Sequence, residues 1–281
     1  MNILVTGGCG FVGSHLIEEL LKEGHKTYCL DNLFTGDAQN MIEGCEYYEG
    51  ETKDISKLFG NIKIDIVYHL GEYSRVEQSF EDIDLVFSYN WNSIYSVLSF
   101  VKDNDAKLIY SGSSTKFGDD GETKYSSPYA YTKYENTNLI KTFSDWFGIE
   151  YAIAYFYNVY GPREIKSGKY ATVIAKFIEL KKNGATKLPI TAPGTQKRNF
   201  THVKDIISGL ILVGKFGKGD GYGIGSYEPF SIIEIAKLLD LEYEIMPKKK
   251  GNRMSAPVLT DKIVDLGWSQ KYFLNDYLKG F

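Results

Sequence analysis

The sequence predicts an α/β protein: a doubly wound parallel sheet followed by a smaller C-terminal lobe. Three observations predict it. Short apolar runs that read as strands alternate with helical segments from the first residue. A glycine-rich turn separates the first run from the first helix. After Asn158 the alternation loosens, and Pro162, Gly168, Gly184, Pro189, Pro193 and Gly194 cut the chain into short pieces. Strands joined through helices lie parallel, with helices on both faces of the sheet.

Met1 to Thr6 is apolar and ends in glycines, as a buried strand does. From Ser14 to Lys22 the residues Leu16, Ile17, Leu20 and Leu21 fall at helical spacing, and Gly24 closes the segment. Lys26 to Asp31 is a second strand. Ile64 to Leu70 and Lys107 to Ser111 repeat the strand pattern, with one long helix expected between them, roughly Phe80 to Lys102. Pro128 to Phe147 is another helix and Glu150 to Phe156 another strand. At 281 residues the chain suits one compact unit of two lobes.

Composition excludes several classes. The net charge of −4 argues against a nucleic-acid binder, which needs a basic surface. No apolar run is long enough to cross a bilayer, and the N-terminal residues do not read as a secretory signal. Cys9, Cys29 and Cys45 are odd in number and follow no metal-ligand spacing; His15, His25, His69 and His202 are scattered. These features predict reduced thiols in a cytoplasm, and no metal.

Gly7-Gly8-Cys9-Gly10-Phe11-Val12-Gly13 lies between the first strand and the first helix. Gly7, Gly10 and Gly13 let the backbone turn tightly and approach a pyrophosphate at the helix N-terminus. Asp31 ends the next strand, where a carboxylate accepts bonds from both adenosine ribose hydroxyls and repels a 2′-phosphate. Asn32, Leu33, Phe34, Thr35 and Gly36 supply no arginine for such a phosphate. The expected fold is therefore of the Rossmann type and the expected cofactor NAD(H).

Tyr129 and Lys133 are four residues apart on the predicted helix and share one face. A neighbouring ammonium favours the phenolate and prepares a base for a hydroxyl proton. Many ordinary helix faces carry such a pair, so its weight comes from its company. Thr6 to His15, Asp31-Asn32-Leu33, His69-Leu70, Ser111 to Gly118, Tyr129 to Lys133, Asn158 to Arg163 and Arg198 to Asp205 occur in one order over nearly the whole chain. In that order they resemble the nucleotide-sugar epimerases and dehydratases of the extended short-chain dehydrogenase/reductase family.

The resemblance implies roles for particular residues. Ser113 takes the place of the catalytic serine or threonine, Tyr129 that of the base, and Lys133 that of its electrostatic partner and nicotinamide-ribose ligand. Leu70, Gly71 and Asn90 match cofactor-lining positions, and Phe156 is expected near the nicotinamide. Asn158 and Arg198 match groups that hold the substrate diphosphate. Arg253 resembles a second phosphate-binding arginine, or else faces water as part of the basic run Lys248 to Lys250. The implied division is 1–157 for the cofactor and 158–281 mainly for the substrate, with about 198–216 returning to the first part. The family's dimer bundle is resembled by the Phe80–Lys102 and Pro128–Phe147 helices, so a homodimer is expected; Phe87, Trp91 and Tyr95 either form that contact or pack internally.

Departures from the family pattern matter as well. Glu51-Thr52 stands where an aspartate and an aliphatic residue usually meet adenine. Glu72 replaces a small residue; it either pairs with Arg75 as scaffold or reaches the substrate, beside which Arg75 is also expected. Tyr155 replaces a frequent arginine, and the Gly118 to Tyr129 connection is short, which predicts a more open cleft. Ser114 and Thr115 follow Ser113 where a 4,6-dehydratase carries Asp-Glu, and Thr115 also stands where a decarboxylase carries glutamate. A 3,5-epimerase/reductase would have cysteine in place of Ser113. Simple hydride chemistry remains. A 4-epimerase that returns the hydride to the other face is the first reading, and a 4-dehydrogenase that releases the keto sugar is the second. A non-catalytic NAD-binding protein is disfavoured because Ser113, Tyr129 and Lys133 are all present, and a hydrolase because no Gly-x-Ser-x-Gly elbow occurs.

Overall fold

The computed structural model describes residues 1–251 and 254–281. Its central sheet uses β1 (Asn2–Thr6), β2 (Lys26–Asp31), β3 (Glu46–Glu49), β4 (Ile66–His69), β5 (Lys107–Ser113), β6 (Tyr151–Phe156) and β7 (Gly219–Ile224). They run parallel in the order β7-β6-β5-β4-β1-β2-β3. The order turns back on itself at β1, and ligands bind such sheets outside the carboxyl ends of the strands at that reversal.

Successive side chains point to opposite faces, so each strand feeds two cores. Ile3, Val5, Cys29 and Ile109 join one core with Leu16, Ile17 and Leu20 of α1 (Phe11–Lys22). Leu4, Tyr28, Leu108 and Ile153 join the other, against α2 (Ser93–Asn104) and α3 (Pro128–Phe147). Both faces being covered explains why the strands read as nearly continuous apolar runs. β3 was not evident from the sequence because Glu46 and Glu49 flank two tyrosines; it is the edge strand, where charge discourages further pairing.

The expected Phe80–Lys102 helix is instead segmented. A 3-10 turn at Gln78–Phe80 and a short helix at Ile83–Val86 lead into a π-helical turn at Phe87–Asn92, before α2 begins. By contrast α3 has the expected bounds. Ser127 accepts from the Ala130 N–H at 3.1 Å, Pro128 occupies the first turn, and Gly148 ends the helix in the left-handed region.

Beyond β6 a third core gathers Tyr160, Ile174, Phe177, Ile190, Ile235 and Leu274. Two small pairings frame it, Lys187–Thr191 with Glu242–Met246 in parallel and Lys197–Asn199 with Pro229–Ser231 antiparallel. The chain returns to the main sheet through α4 (Val203–Phe216), which packs on α1, and through β7. Among the described residues no helix is long and apolar enough to cross a membrane.

α4 lies very close to the sheet. A Cβ on Gly214 would sit 1.9 Å from the Tyr68 hydroxyl, which is buried and donates to the Leu210 carbonyl at 3.4 Å. Gly214→Ala is expected to cost about 1–3 kcal/mol through overpacking. Adding Tyr68→Phe should recover part of that loss, as read by chemical denaturation of the unmodified protein and the two variants.

Candidate active site

The glycine turn is shaped by contacts only glycine allows. Gly7 has φ of +72°, and a Cβ on Gly13 would lie 2.2 Å from the Gly7 carbonyl oxygen. Gly10 is the N-cap of α1 and brings no side chain over the first turn. Phe11, Val12 and Gly13 thus open the positive end of α1 into a cleft of about 520 Å³ at the carboxyl edge of the sheet. Asp31 is 8% exposed at the end of β2, accepting from Cys9 N–H at 2.9 Å and from Leu33 N–H at 2.8 Å. Burial raises its carboxyl, and the two backbone bonds oppose that shift.

Most of the expected cofactor positions meet at this cleft. Asn32, Thr35 and Gly36 line it after β2, as do Glu51 and Thr52 after β3. Leu70, Gly71 and Glu72 line it after β4, and Phe156 after β6. Two positions do not. The Leu33 side chain packs against the core below the turn, while the neighbouring Phe34 lines the cleft. Asn90 is fully buried, accepting from Tyr73 N–H at 2.7 Å and donating to the Tyr73 carbonyl and the Thr132 hydroxyl. It braces the loop after β4 against α3 rather than lining the cleft.

The expected catalytic residues face the same space. Ser113 ends β5, its hydroxyl 2.9 Å from that of Thr115. Tyr129 and Lys133 come from the first turns of α3, and all three line the cleft. Arg75, Asn158 and Arg198 line it from the opposite side, with Asn158 in the left-handed region at φ of +38°. Arg75 donates to the carbonyls of Tyr170 and Ser74. Arg253 lies outside the described residues.

Glu72 neither pairs with Arg75 nor reaches the cleft with its carboxylate. Its side chain is 2% exposed, and its Oε2 lies 2.5 Å from Lys133 Nζ. Tyr110 donates to Oε2 at 2.9 Å and Asn136 to Oε1 at 2.9 Å. His69 Nε2 is 3.4 Å from Oε1. Burial pushes this carboxyl up, but Lys133 and His69 outweigh it and hold it at about 2. Lys133 also donates to the Ser111 carbonyl and lies 4.4 Å from the centre of the Tyr110 ring.

Tyr155 turns from the cleft to bond Asp220 at 2.6 Å within a group that includes Lys116 and Lys141. The short connection before Tyr129 is coiled: Ser114–Tyr125 forms 3-10 turns in which Thr123 donates to the Thr115 carbonyl.

Sequence reasoning missed Glu164. Its only signal was its place just after Gly161-Pro162-Arg163. It lines the cleft, is 6% exposed, and accepts from Gly161 N–H at 2.9 Å and from the Thr172 hydroxyl at 2.5 Å. Burial raises its carboxyl to about 7 against these bonds and the nearby Arg75 charge.

Fold and site together define an α/β dinucleotide-binding protein with a serine, tyrosine and lysine at the cofactor cleft. Residues 3–225 match the NAD dependent epimerase/dehydratase family, and the chain belongs to that family. The UDP-glucose 4-epimerase of Lactobacillus helveticus is 28% identical over 97% of this chain and 93% of its own. The human dTDP-D-glucose 4,6-dehydratase is also 28% identical, over 96% of this chain and 85% of its own. The structure of the Thermotoga maritima UDP-glucose 4-epimerase with UDP-glucose matches at a TM-score of 0.93 and 27% identity, covering 99% and 96% of the two chains. The cofactor is NAD, and the open glycine turn and the buried Asp31 carboxylate fit it.

Glu164 has a consequence for stability. Its folded carboxyl titrates above its unfolded value, so between about pH 4.5 and 7 the folded state holds more protons and stability falls as pH rises. Glu164→Gln should remove that slope, gaining up to about 3 kcal/mol at pH 8 and little at pH 4.5. Denaturation midpoints of both proteins across this range check it.

Proposed function

We propose that this protein is an NAD-dependent nucleotide-sugar 4-epimerase. One observation carries the reading: Ser113, Tyr129 and Lys133 share the NAD cleft, while Ser114 and Thr115 supply no carboxyl beside Ser113. Elimination or decarboxylation at that position would ask for one. Tyr129 takes the proton of the sugar C4 hydroxyl, and the Lys133 ammonium favours the phenolate that does so. The Ser113 hydroxyl, aligned by Thr115, bonds the same sugar oxygen. NAD, held by the Gly7–Gly13 turn, Asp31 and Lys133, would supply the hydride acceptor and donor for the sugar C4 that this reaction requires. Asn158 and Arg198 hold the diphosphate, with Arg75 beside the sugar and Arg253 as a second phosphate ligand.

The alternative is a dehydrogenase that releases the keto sugar, a reading that Glu72 and the short Gly118 to Tyr129 connection favour. The burial of the Glu72 side chain supports the epimerase over it. Residues 1–157 serve the cofactor and 158–281 mainly the substrate, with the chain returning from about 198. Two copies of the chain pair through the helices around Trp91 and Tyr131, where Trp91 is 39% and Tyr95 64% exposed.

A panel of UDP and dTDP sugars tests the reaction. A 4-epimer formed without net NADH is the expected product; a keto sugar with stoichiometric NADH would replace this reading with the dehydrogenase. Tyr129→Phe should fold, bind NAD and lose at least about 100-fold in turnover; retained turnover would remove Tyr129 from its role. Sedimentation should give a dimer that Tyr95→Glu weakens at least tenfold, because a charge is placed in a buried contact.

A further inference from the structure

We propose that Glu72 is a positioning residue for the Tyr129–Lys133 pair: its buried carboxylate is the counter-ion that keeps the Lys133 ammonium charged and in place beside Tyr129. The inference rests on the reading of those two residues as the base and its electrostatic partner.

The observation is a charge balance in a dry place. The Lys133 side chain is 5% exposed, and an ammonium withdrawn from water loses its proton readily unless an anion faces it. Of its three neighbours, the Ser111 carbonyl and the Tyr110 ring offer only partial charge. Glu72 offers a full one at 2.5 Å.

The carboxylate is itself built in from every side. Lys133 and Asn136 reach it from α3, Tyr110 from β5 and His69 from β4, while Tyr129 and Arg75 lie towards the cleft. The His69 proton can be placed. The Thr6 hydroxyl accepts from Leu70 and Gly71 N–H, at 3.2 and 3.0 Å, so its own proton points to His69 Nδ1 at 2.7 Å. Nε2–H then faces Glu72. Every neighbour of the carboxylate is thus a donor, and it stays ionised. Glu72 is a fixed anion, not a store for the proton that Tyr129 takes.

Without that anion, Lys133 would keep hydrogen-bond acceptors but lose what holds its charge, and the Tyr129 phenolate would lose its support. Glu72→Gln makes this change with little change of shape. Two readouts apply. One is the pH dependence of kcat/KM for the best sugar of the panel. The other is Lys133 ionisation in the NAD-loaded protein without sugar, followed by NMR of lysines labelled with carbon-13 at Cε and assigned by the signal missing from Lys133→Met. The Lys133 titration should move down by at least about one pH unit, and the alkaline limb of kcat/KM should move down with it, because the ammonium that supports the phenolate is lost at lower pH. An unmoved alkaline limb and an unmoved lysine titration, with lower activity, would reduce Glu72 to scaffold and overturn the proposal; so would a Lys133 titration that moves up.

If Glu72→Gln does not fold, the pair is read through stability. Lys133→Met strands a buried carboxylate, so Glu72→Leu/Lys133→Met should be the more stable of these two variants; the reverse order overturns the proposal. Failure of the unmodified protein to turn over any sugar would bring down the catalytic reading alone. The Lys133 titration would then still decide whether Glu72 sets its charge.

Discussion

Everything in this molecule depends on the parallel direction of its central sheet. Seven strands that run one way end along one edge, and the loops leaving that edge must share the same small space. Asp31, Glu72 and Ser113 are separated by tens of residues in sequence, yet each lies at or just beyond the end of a strand. The two apolar faces make that edge rigid, since a register slip would move a whole row of core side chains into the wrong layer. Helix α3 then adds Tyr129 and Lys133 from above, its start fixed by Ser127 and Pro128.

Behind the cleft lies a continuous polar layer. It runs from Thr6, beneath the glycine turn, through His69 and Glu72 to Lys133, with Tyr110 and Asn136 closing its sides. Both Glu72 oxygens accept hydrogen bonds, while His69 Nε2 and Asn136 Oδ1 are buried without a hydrogen-bond partner among the described residues. The layer joins the strand that carries the glycine turn to the helix that carries Tyr129. The glycine turn and the Tyr129–Lys133 pair are thereby held in one frame.

The sequence made much of this legible. Alternating apolar runs revealed the sheet because both of its faces are covered, and Ser127, Pro128 and Gly148 marked α3 to the residue. The glycine turn and Asp31 were readable because close backbone approach and a ribose carboxylate each demand a narrow set of residues. What escaped had a physical reason in each case. Glu46–Glu49 is an edge strand with polar ends. Leu33, with φ of +57°, packs against the core, and Phe34 lines the cleft beside it. Asn90 and Glu72 bond to residues far away in sequence, and no local pattern reveals such partners. Glu164 shows itself only by its burial.

The π-helical turn at Phe87–Asn92 separates two demands on one helix. Asn90 points inward to brace the loop after β4, and Trp91 beside it points outward. A π turn holds one residue more than regular helix needs, so the segments on either side are out of phase by one position. Loss of a single codon there would leave a well-formed α-helix, yet it would rotate one segment against the other by about 100°. Either the inner brace or the outer face would then be misdirected. The extra residue therefore acts as a phase lock: the helix can drift freely in composition, but its length at this point is fixed.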